Sequence, residues 1–371
     1  MIDRSPKVQT LAIVGLGLMG GSLGLASLER GLAERVVGFD QDPASTRRAL
    51  ERKAITHAAR SLADAVSEAD LVVLATPVGS IGDVFAEAAP AMPAGCVVTD
   101  VGSTKAGVVD AVTRRAPGSV HFIGGHPMAG SEKDGIDAAT ADLYDGCIWI
   151  LTPTEATSTE AYGRLMRFLT GLGARVLSLD PARHDEALAL TSHLPQLLSS
   201  TLMGFAADVA TTGDGLPLLT AGGFRDMTRI AGSSPDLWVG IVQENQPALA
   251  ALLRRFLGTL GEAADALENG DWHRLRAMLA EAQRARHDLP GKPGLQPSEL
   301  AEILIPVPDR PGVLAEVTTT VGEAGVNIED LNILHSAEGG RGVIHLAVSG
   351  AANARTAAEA LQKKGYETEI E

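Results

Sequence analysis

A histidine held between glycines and a proline opens the chemical reading. Gly124-Gly125-His126-Pro127 follows the apolar run Val120-His121-Phe122-Ile123. Pro127 restricts the backbone that carries the imidazole. A neutral imidazole, with an unperturbed pKa of about 6.5, is suited to removing a proton from a hydroxyl near working pH. The alternative is a turn histidine satisfied by backbone groups.

A second stretch suggests what would accept a hydride from the same carbon. Gly15-Leu16-Gly17-Leu18-Met19-Gly20 follows the apolar run Leu11 to Val14 and opens a helical segment, the context in which three glycines at this spacing bind a dinucleotide. The first glycine allows a tight turn, the second lets backbone approach a pyrophosphate, and the third lets helix pack on strand. Asp40 ends the second apolar run 20 residues after Gly20, where a carboxylate accepts from ribose hydroxyls and repels a 2′-phosphate. NAD is therefore expected over NADP, with Arg47 and Arg48 as the reason for doubt. A glycine-rich turn plus a solvated aspartate is the bland alternative.

Arg225 and Arg229 stand four residues apart, so a helix over 224–230 would project both guanidiniums from one face. Two permanently charged forks suit carboxylates. Surface ion pairs with Asp226 or Glu244 are the alternative. His184 and His193, nine apart, fall about half a turn out of phase on a regular helix, so the spacing predicts that both cannot face one ligand. Capping or packing is the ordinary role for either. No histidine or cysteine spacing resembles a zinc site, and no metal is expected.

These residues need a scaffold, and the chain supplies material for several cores. Its 371 residues predict two or three domains, and we expect three. Hydrophobic residues at 45% and charged residues at 21% indicate a globular composition. Against 46 acidic residues stand 31 Lys plus Arg, a net charge of −15, which argues against nucleic acid or an anionic membrane as partner. Any anionic ligand must meet a local reversal of charge. Cys96 and Cys147 read as buried free thiols. The N-terminus lacks the apolar region of a signal peptide and no run is long enough to span a membrane, so a cytoplasmic enzyme is expected.

Residues 1–180 alternate short apolar runs with helical segments, which predicts a doubly wound parallel α/β sheet. The runs include Cys96 to Asp100, His121 to Ile123, Cys147 to Leu151 and Arg175 to Leu179. In such sheets ligands bind beyond the carboxyl ends of the strands. The polar loops there carry Thr76-Pro77, Gly102-Ser103-Thr104-Lys105, and His126-Pro127 with Ser131-Glu132-Lys133. Glu132 either closes over a substrate or pairs with Lys133. Residues 181–290 read as helical, with apolar surface beyond one core stripe. That surplus suits a homodimer interface or ordinary internal packing. A proline- and glycine-rich linker covers 291–300, and 301–371 reads as βαββαβ, a ferredoxin-like order.

Five stretches together resemble the prephenate dehydrogenase family: GLGLMGGS at Gly15 to Ser22, DVGSTK at Asp100 to Lys105, GGHPMAGSE at Gly124 to Glu132, SHLP at Ser192 to Pro195 and GGFRDMTRI at Gly222 to Ile230. The likeness runs from about residue 10 to 290. The tail, with Pro308-Asp-Arg-Pro-Gly-Val-Leu314 and Gly325-Val-Asn-Ile328, resembles the ACT regulatory module. The resemblance implies oxidative decarboxylation of prephenate to 4-hydroxyphenylpyruvate and carbon dioxide with reduction of NAD, in tyrosine biosynthesis. It makes His126 the base on the ring hydroxyl, with Ser103 bonded to the same region and His193 near nicotinamide and substrate. Arg229 becomes the stronger carboxylate anchor, with Arg225, Ser131 and Glu132 around the substrate. Thr76 and Pro77 would border the cofactor. Tyrosine is expected as an effector between ACT modules near Pro311, Gly312 and Asn327. Relatives often carry a second histidine where this chain has Gln196.

Arogenate is the alternative substrate within the family. β-Hydroxyacid dehydrogenases share the cofactor loop but use a catalytic lysine; Lys105 and Lys133 are the nearby loop lysines, and GGHPMAGSE does not fit them. A non-catalytic NAD or amino-acid sensor could use the same domains.

Overall fold

The fold is that of a computed structural model, which describes residues 8–130, 134–209, 222–287, 300–308, 310–335 and 341–370. Ser131, Glu132, Lys133 and all of the expected linker except Leu300 lie outside the described residues. Contacts divide the chain into two compact units, 1–259 and 260–371.

The first unit is built on strands β1 (Val8–Val14), β2 (Ala33–Phe39), β3 (His57–Ala58), β4 (Leu71–Leu74), β5 (Val97–Asp100) and β6 (His121–Phe122). They form one parallel sheet in the order β3-β2-β1-β4-β5-β6. Alternate residues feed two cores, as the period of two requires. Leu11, Ile13, Val36, Leu71, Val73 and Val97 enter one. Ala12, Val14, Val37, Val72, Leu74 and Val98 enter the other. Burial on both faces explains the uninterrupted apolar runs. The strand order reverses between β1 and β4, which places a binding crevice at their carboxyl ends.

The expectation of one parallel sheet is corrected beyond β6. Strands β7 (Gly124–Pro127), β8 (Ile148–Thr152) and β9 (Arg175–Ser178) form a separate sheet, with β7 antiparallel to β8 and β8 parallel to β9. Only Ile123 separates β6 from β7, whereas a parallel neighbour needs a crossover of about a dozen residues. The chain therefore turns away into a new ladder. His126 lies in that ladder opposite Ile150 and not in a loop.

Helix α1 (Leu18–Glu29) follows the glycine loop, α2 (Pro43–Glu51), α3 (Leu62–Val66) and α4 (Ile81–Ala88) follow β2, β3 and β4, α5 (Ala106–Thr113) follows β5, and α6 (Thr159–Gly171) links β8 to β9. Helix α7 (Pro181–Leu188) starts where Asp180 accepts from the amides of Ala182 and Arg183 at 2.9 and 3.2 Å, with Pro181 at its first position. A π turn, Ala189–His193, joins α7 to α8 (Leu194–Val209). Helices α9 (Gly222–Thr228) and α10 (Pro235–Glu244) complete the unit, whose boundary falls within α11 (Gln246–Glu268).

The second unit holds α12 (Trp272–His287) and then β10 (Leu300–Pro308), α13 (Val313–Glu323), β11 (Ile328–His335), β12 (Arg341–Ser349), α14 (Gly350–Lys363) and β13 (Glu369–Ile370). The sheet order β11-β12-β10-β13, antiparallel throughout, is the ferredoxin-like arrangement expected of the βαββαβ pattern. Ile303, Ile305, Val317, Val321, Ile344, Leu346 and Leu361 fill its core. Among the described residues no helix is long and apolar enough to cross a membrane.

Candidate active site

The glycine loop has the shape a dinucleotide needs. Gly15 has φ +95°, and a Cβ there would stand 2.4 Å from the carbonyl oxygen of Ala75. A Cβ on Gly20 would stand 1.9 Å from the oxygen of Gly15, so helix and turn touch through bare backbone. Over Gly17 there is open space. That combination leaves room for a pyrophosphate against the amino end of α1. Leu18 and Met19 form its first turn, both half-buried. Thr76, half-buried beside Gly15 in the loop after β4, has a hydroxyl with no partner among the described residues; Pro77 next to it is exposed. Asp40 accepts from the amides of Leu16 at 2.7 Å and Asp42 at 2.8 Å. It thereby ties the second strand to the glycine turn and keeps lone pairs for ribose hydroxyls. Arg48 is engaged with Asp137 at 2.6 Å and Glu51 at 3.1 Å, while Arg47 is exposed.

The glycines beside His126 permit a close approach of β7 to β5. A Cβ on Gly124 would meet Thr152 Oγ1 at 2.4 Å, and one on Gly125 would meet Thr99 Oγ1 at 2.5 Å and the oxygen of Asp100 at 2.6 Å. Asp100 then fastens two segments: its carboxylate accepts from the amides of Gly102 at 2.8 Å and Gly125 at 3.0 Å. Lys105 completes the fastening, with Nζ bonded to Asp100 Oδ2 and, at 2.8 Å, to the oxygen of Gly125. Both charged side chains are fully buried. Burial pulls the Lys105 pKa down, opposed by Asp100. Ser103 lies half-buried on the loop so held.

His126 itself is buried, with Nδ1 2.8 Å from His184 Nε2. His184 Nδ1 stands 2.7 Å from Asp185 Oδ1. Asp185 also accepts from the amides of Lys105 at 2.7 Å and Ala106 at 2.8 Å, which seats it at the start of α5. Burial first, then the Lys105 charge and the neighbouring imidazoles of His184 and His193, hold the His126 pKa well below the usual histidine range. Its imidazole is therefore neutral. His193 packs edge-on to Trp238 and receives a hydrogen bond from Asn245 Nδ2 at 3.1 Å. Its pKa is pushed down to about 4, chiefly by burial.

The helix between His184 and His193 is interrupted by the π turn at 189–193, so the phase of a regular helix does not apply there; both imidazoles come to the neighbourhood of His126, with His184 bonded behind it. A half-turn offset holds only for an unbroken helix. Sequence reasoning weighed His184 only against His193 as a group facing the ligand, and it missed Asp185, Asn245 and the fastening by Asp100. Only the adjacency of His184 and Asp185 offered a local signal, because the partner each finds is distant in the chain.

Arg225 sits in the last turn of α9 and Arg229 begins a short 3₁₀ turn. The regular helix expected over 224–230 therefore ends between them, at Thr228. Both arginines are exposed and neither forms an ion pair among the described residues. Gln196, buried on α8, donates to the oxygen of Ile230 at 2.9 Å and so anchors the turn that carries Arg229. No cluster able to hold a metal occurs among the described residues.

In the second unit, Pro311 and Gly312 lie at the start of α13, Gly312 with φ +91°. Asn327 lies exposed beyond its other end, bonded to Glu329 at 2.6 Å. A separation of roughly 16 Å along the helix follows from its rise per residue. One small ligand could touch both only between two modules. A separate cavity of about 490 Å³ opens beside Arg310, Glu316, Lys364 and Tyr366.

A parallel sheet with this glycine turn, and a neutral buried imidazole on an adjoining ladder, define a nucleotide-binding oxidoreductase. Residues 23–178 match the family model "Prephenate dehydrogenase, nucleotide-binding domain", 180–281 match "Prephenate dehydrogenase, dimerization domain" and 301–365 match "ACT domain". A prephenate dehydrogenase of Bacillus subtilis is 30% identical over 97% of both chains. The chain therefore belongs to the prephenate dehydrogenase family. Among solved structures, the prephenate dehydrogenase of A. aeolicus, in complex with hydroxyphenyl propionate and NAD+, is 29% identical with TM-score 0.71, covering 76% of this chain and 99% of that one. The arogenate dehydrogenase of Synechocystis is 31% identical with TM-score 0.65, covering 75% and 99%.

Proposed function

We propose that this chain oxidises prephenate with NAD to 4-hydroxyphenylpyruvate and carbon dioxide. The observation that carries the reading is His126: buried, neutral, and fastened through β7 to the strand ends where the nucleotide loop lies. NAD, when bound, supplies the hydride acceptor. The chain's own groups hold and deprotonate the substrate. Arg229 and Arg225 neutralise its two carboxylates, Ser103 bonds near the ring hydroxyl, and His126 takes the hydroxyl proton as the carbon loses hydride. Aromatisation of the ring then drives loss of the carboxyl group. Ser131 and Glu132 belong to the substrate set on family resemblance. Likeness to the Synechocystis arogenate dehydrogenase supports a second reading, with arogenate as substrate. Protein, NAD and either substrate, followed by NADH absorbance, decides between them; no NADH from either would leave the sensor reading in place.

Asp40 provides a separable test. Its carboxylate accepts two backbone amides and is available to the ribose, which an amide side chain cannot reproduce. Asp40→Asn is expected to raise the KM for NAD by roughly tenfold or more, the worth of one charged hydrogen bond, with a much smaller change for the second substrate. Unchanged NAD affinity would remove Asp40 from the cofactor site.

The exposed apolar side chains Phe205 and Met227, on helices α8 and α9, support a homodimer built through the helical segment. Tyrosine is the proposed inhibitor, bound between paired C-terminal modules with Gly312 from one and Asn327 from the other. Calorimetry on the full chain should show binding heat that falls in Asn327→Ala, with inhibition weakened in parallel. Inhibition untouched by that change would move tyrosine to the active site.

A further inference from the structure

The hydrogen bonds behind the two site histidines constrain which nitrogen of each carries its proton. Asp185 Oδ1 can only accept, so His184 Nδ1, at 2.7 Å, must be protonated. In neutral His184 the lone pair is then on Nε2, which lies 2.8 Å from His126 Nδ1. With His184 taken as neutral, His126 Nδ1 donates and its Nε2 is left as the acceptor. The second imidazole is set the other way. Asn245 Nδ2 lies 2.8 Å from the backbone oxygen of Asp185, which identifies that atom as the amide nitrogen, and the same Nδ2 lies 3.1 Å from His193 Nδ1. His193 Nδ1 therefore accepts, and its proton is on Nε2.

We propose that His184, Asp185 and Asn245 are positioning residues that preset opposite tautomers in the site, His126 as a proton acceptor and His193 as a proton donor. The assignment rests on the proposed role of His126 as base. When His126 Nε2 takes the hydroxyl proton, the resulting imidazolium keeps its Nδ1–H bond to His184, and His184 keeps its own proton bond to the Asp185 carboxylate. The proton stays on His126, and the buried carboxylate stabilises the positive charge two hydrogen bonds away, as an aspartate does for the catalytic histidine of a hydrolytic triad. The backbone amides of Lys105 and Ala106 pin that carboxylate in turn. His126 comes from β7, His184 and Asp185 from α7 and His193 from the π turn. Asn245 bridges the backbone of Asp185 to His193, so the set acts as one unit.

Nitrogen NMR of the full chain labelled in histidine reads the tautomers without any turnover. Protonated Nδ1 on His126 and protonated Nε2 on His193 are expected. A proton on Nε2 of His126, as would follow if His184 were an imidazolium donating to it, would overturn the proposal while leaving the His126 base itself intact. Kinetics gives the second arm. His184→Leu should lower kcat by about 10²-fold or more with little change in KM for NAD, the scale at which a wrong tautomer impairs acid–base catalysis. In His184→Gln the amide offers a donor and an acceptor at similar spacing, so most of the lost kcat should return. Equal activity in both variants would refute the positioning role. Asn245→Ala should shift the His193 signals and spare those of His126; a change in neither would remove Asn245 from the set.

Discussion

Replacing His126 with asparagine is expected to lower kcat by about 10²- to 10⁴-fold, the usual worth of a positioned general base, and to leave NAD binding close to that of the parent. The side chain is close in size, so β7 should keep its pairing with β8, and the loss reports chemistry rather than folding. Steady-state kinetics with NAD affinity measured separately checks this; an unimpaired variant removes the base. The parent enzyme should also show a displaced acid limb. The base must be neutral to accept a proton, so kcat/KM falls as pH drops through its pKa. Burial and the Lys105 charge hold that pKa well below the ordinary histidine value of 6.5. The limb should therefore lie below pH 6.5, whereas a solvated histidine base would place it there.

The second large effect is expected at a residue with no exposed surface. Lys105→Met leaves the Asp100 carboxylate buried with only the amides of Gly102 and Gly125 as donors. Removing one member of a buried, hydrogen-bonded pair costs about 3–5 kcal/mol. For a unit of this size the melting temperature should fall on the order of 10 °C. Adding Asp100→Asn removes the stranded charge and should recover part of the loss. Urea or thermal melting of the parent, single and double variants measures it, and a Lys105→Met protein as stable as the parent would refute the account. The same burial bears on the rival in which a loop lysine does the chemistry. Lys105 has no exposed surface and spends its donors on Asp100 and Gly125, so it fastens β7, which argues against a catalytic role for it.

Much of this architecture is legible in the sequence. The apolar runs, the glycine turn with Asp40, and the βαββαβ tail can all be read there, because each is set by local periodicity or by a backbone requirement within a few residues. His126 stands out as a candidate for the same reason: two glycines and a proline around one imidazole is a local anomaly.

What the tertiary structure alone decided is who meets whom. The split of the sheet after β6 depends on a connection too short for a crossover, which apolar runs read only as strands do not reveal. Neither Asp100 nor His184 nor Asn245 announces its partner, since Asn245 finds Asp185 60 residues away and His184 finds His126 58 away. The π turn altered the helical phase between His184 and His193, because one widened turn rotates everything after it. Local pattern determines the elements; burial then forces every polar group inside to find a donor or acceptor, and that search runs through space, where spacing along the chain has no say.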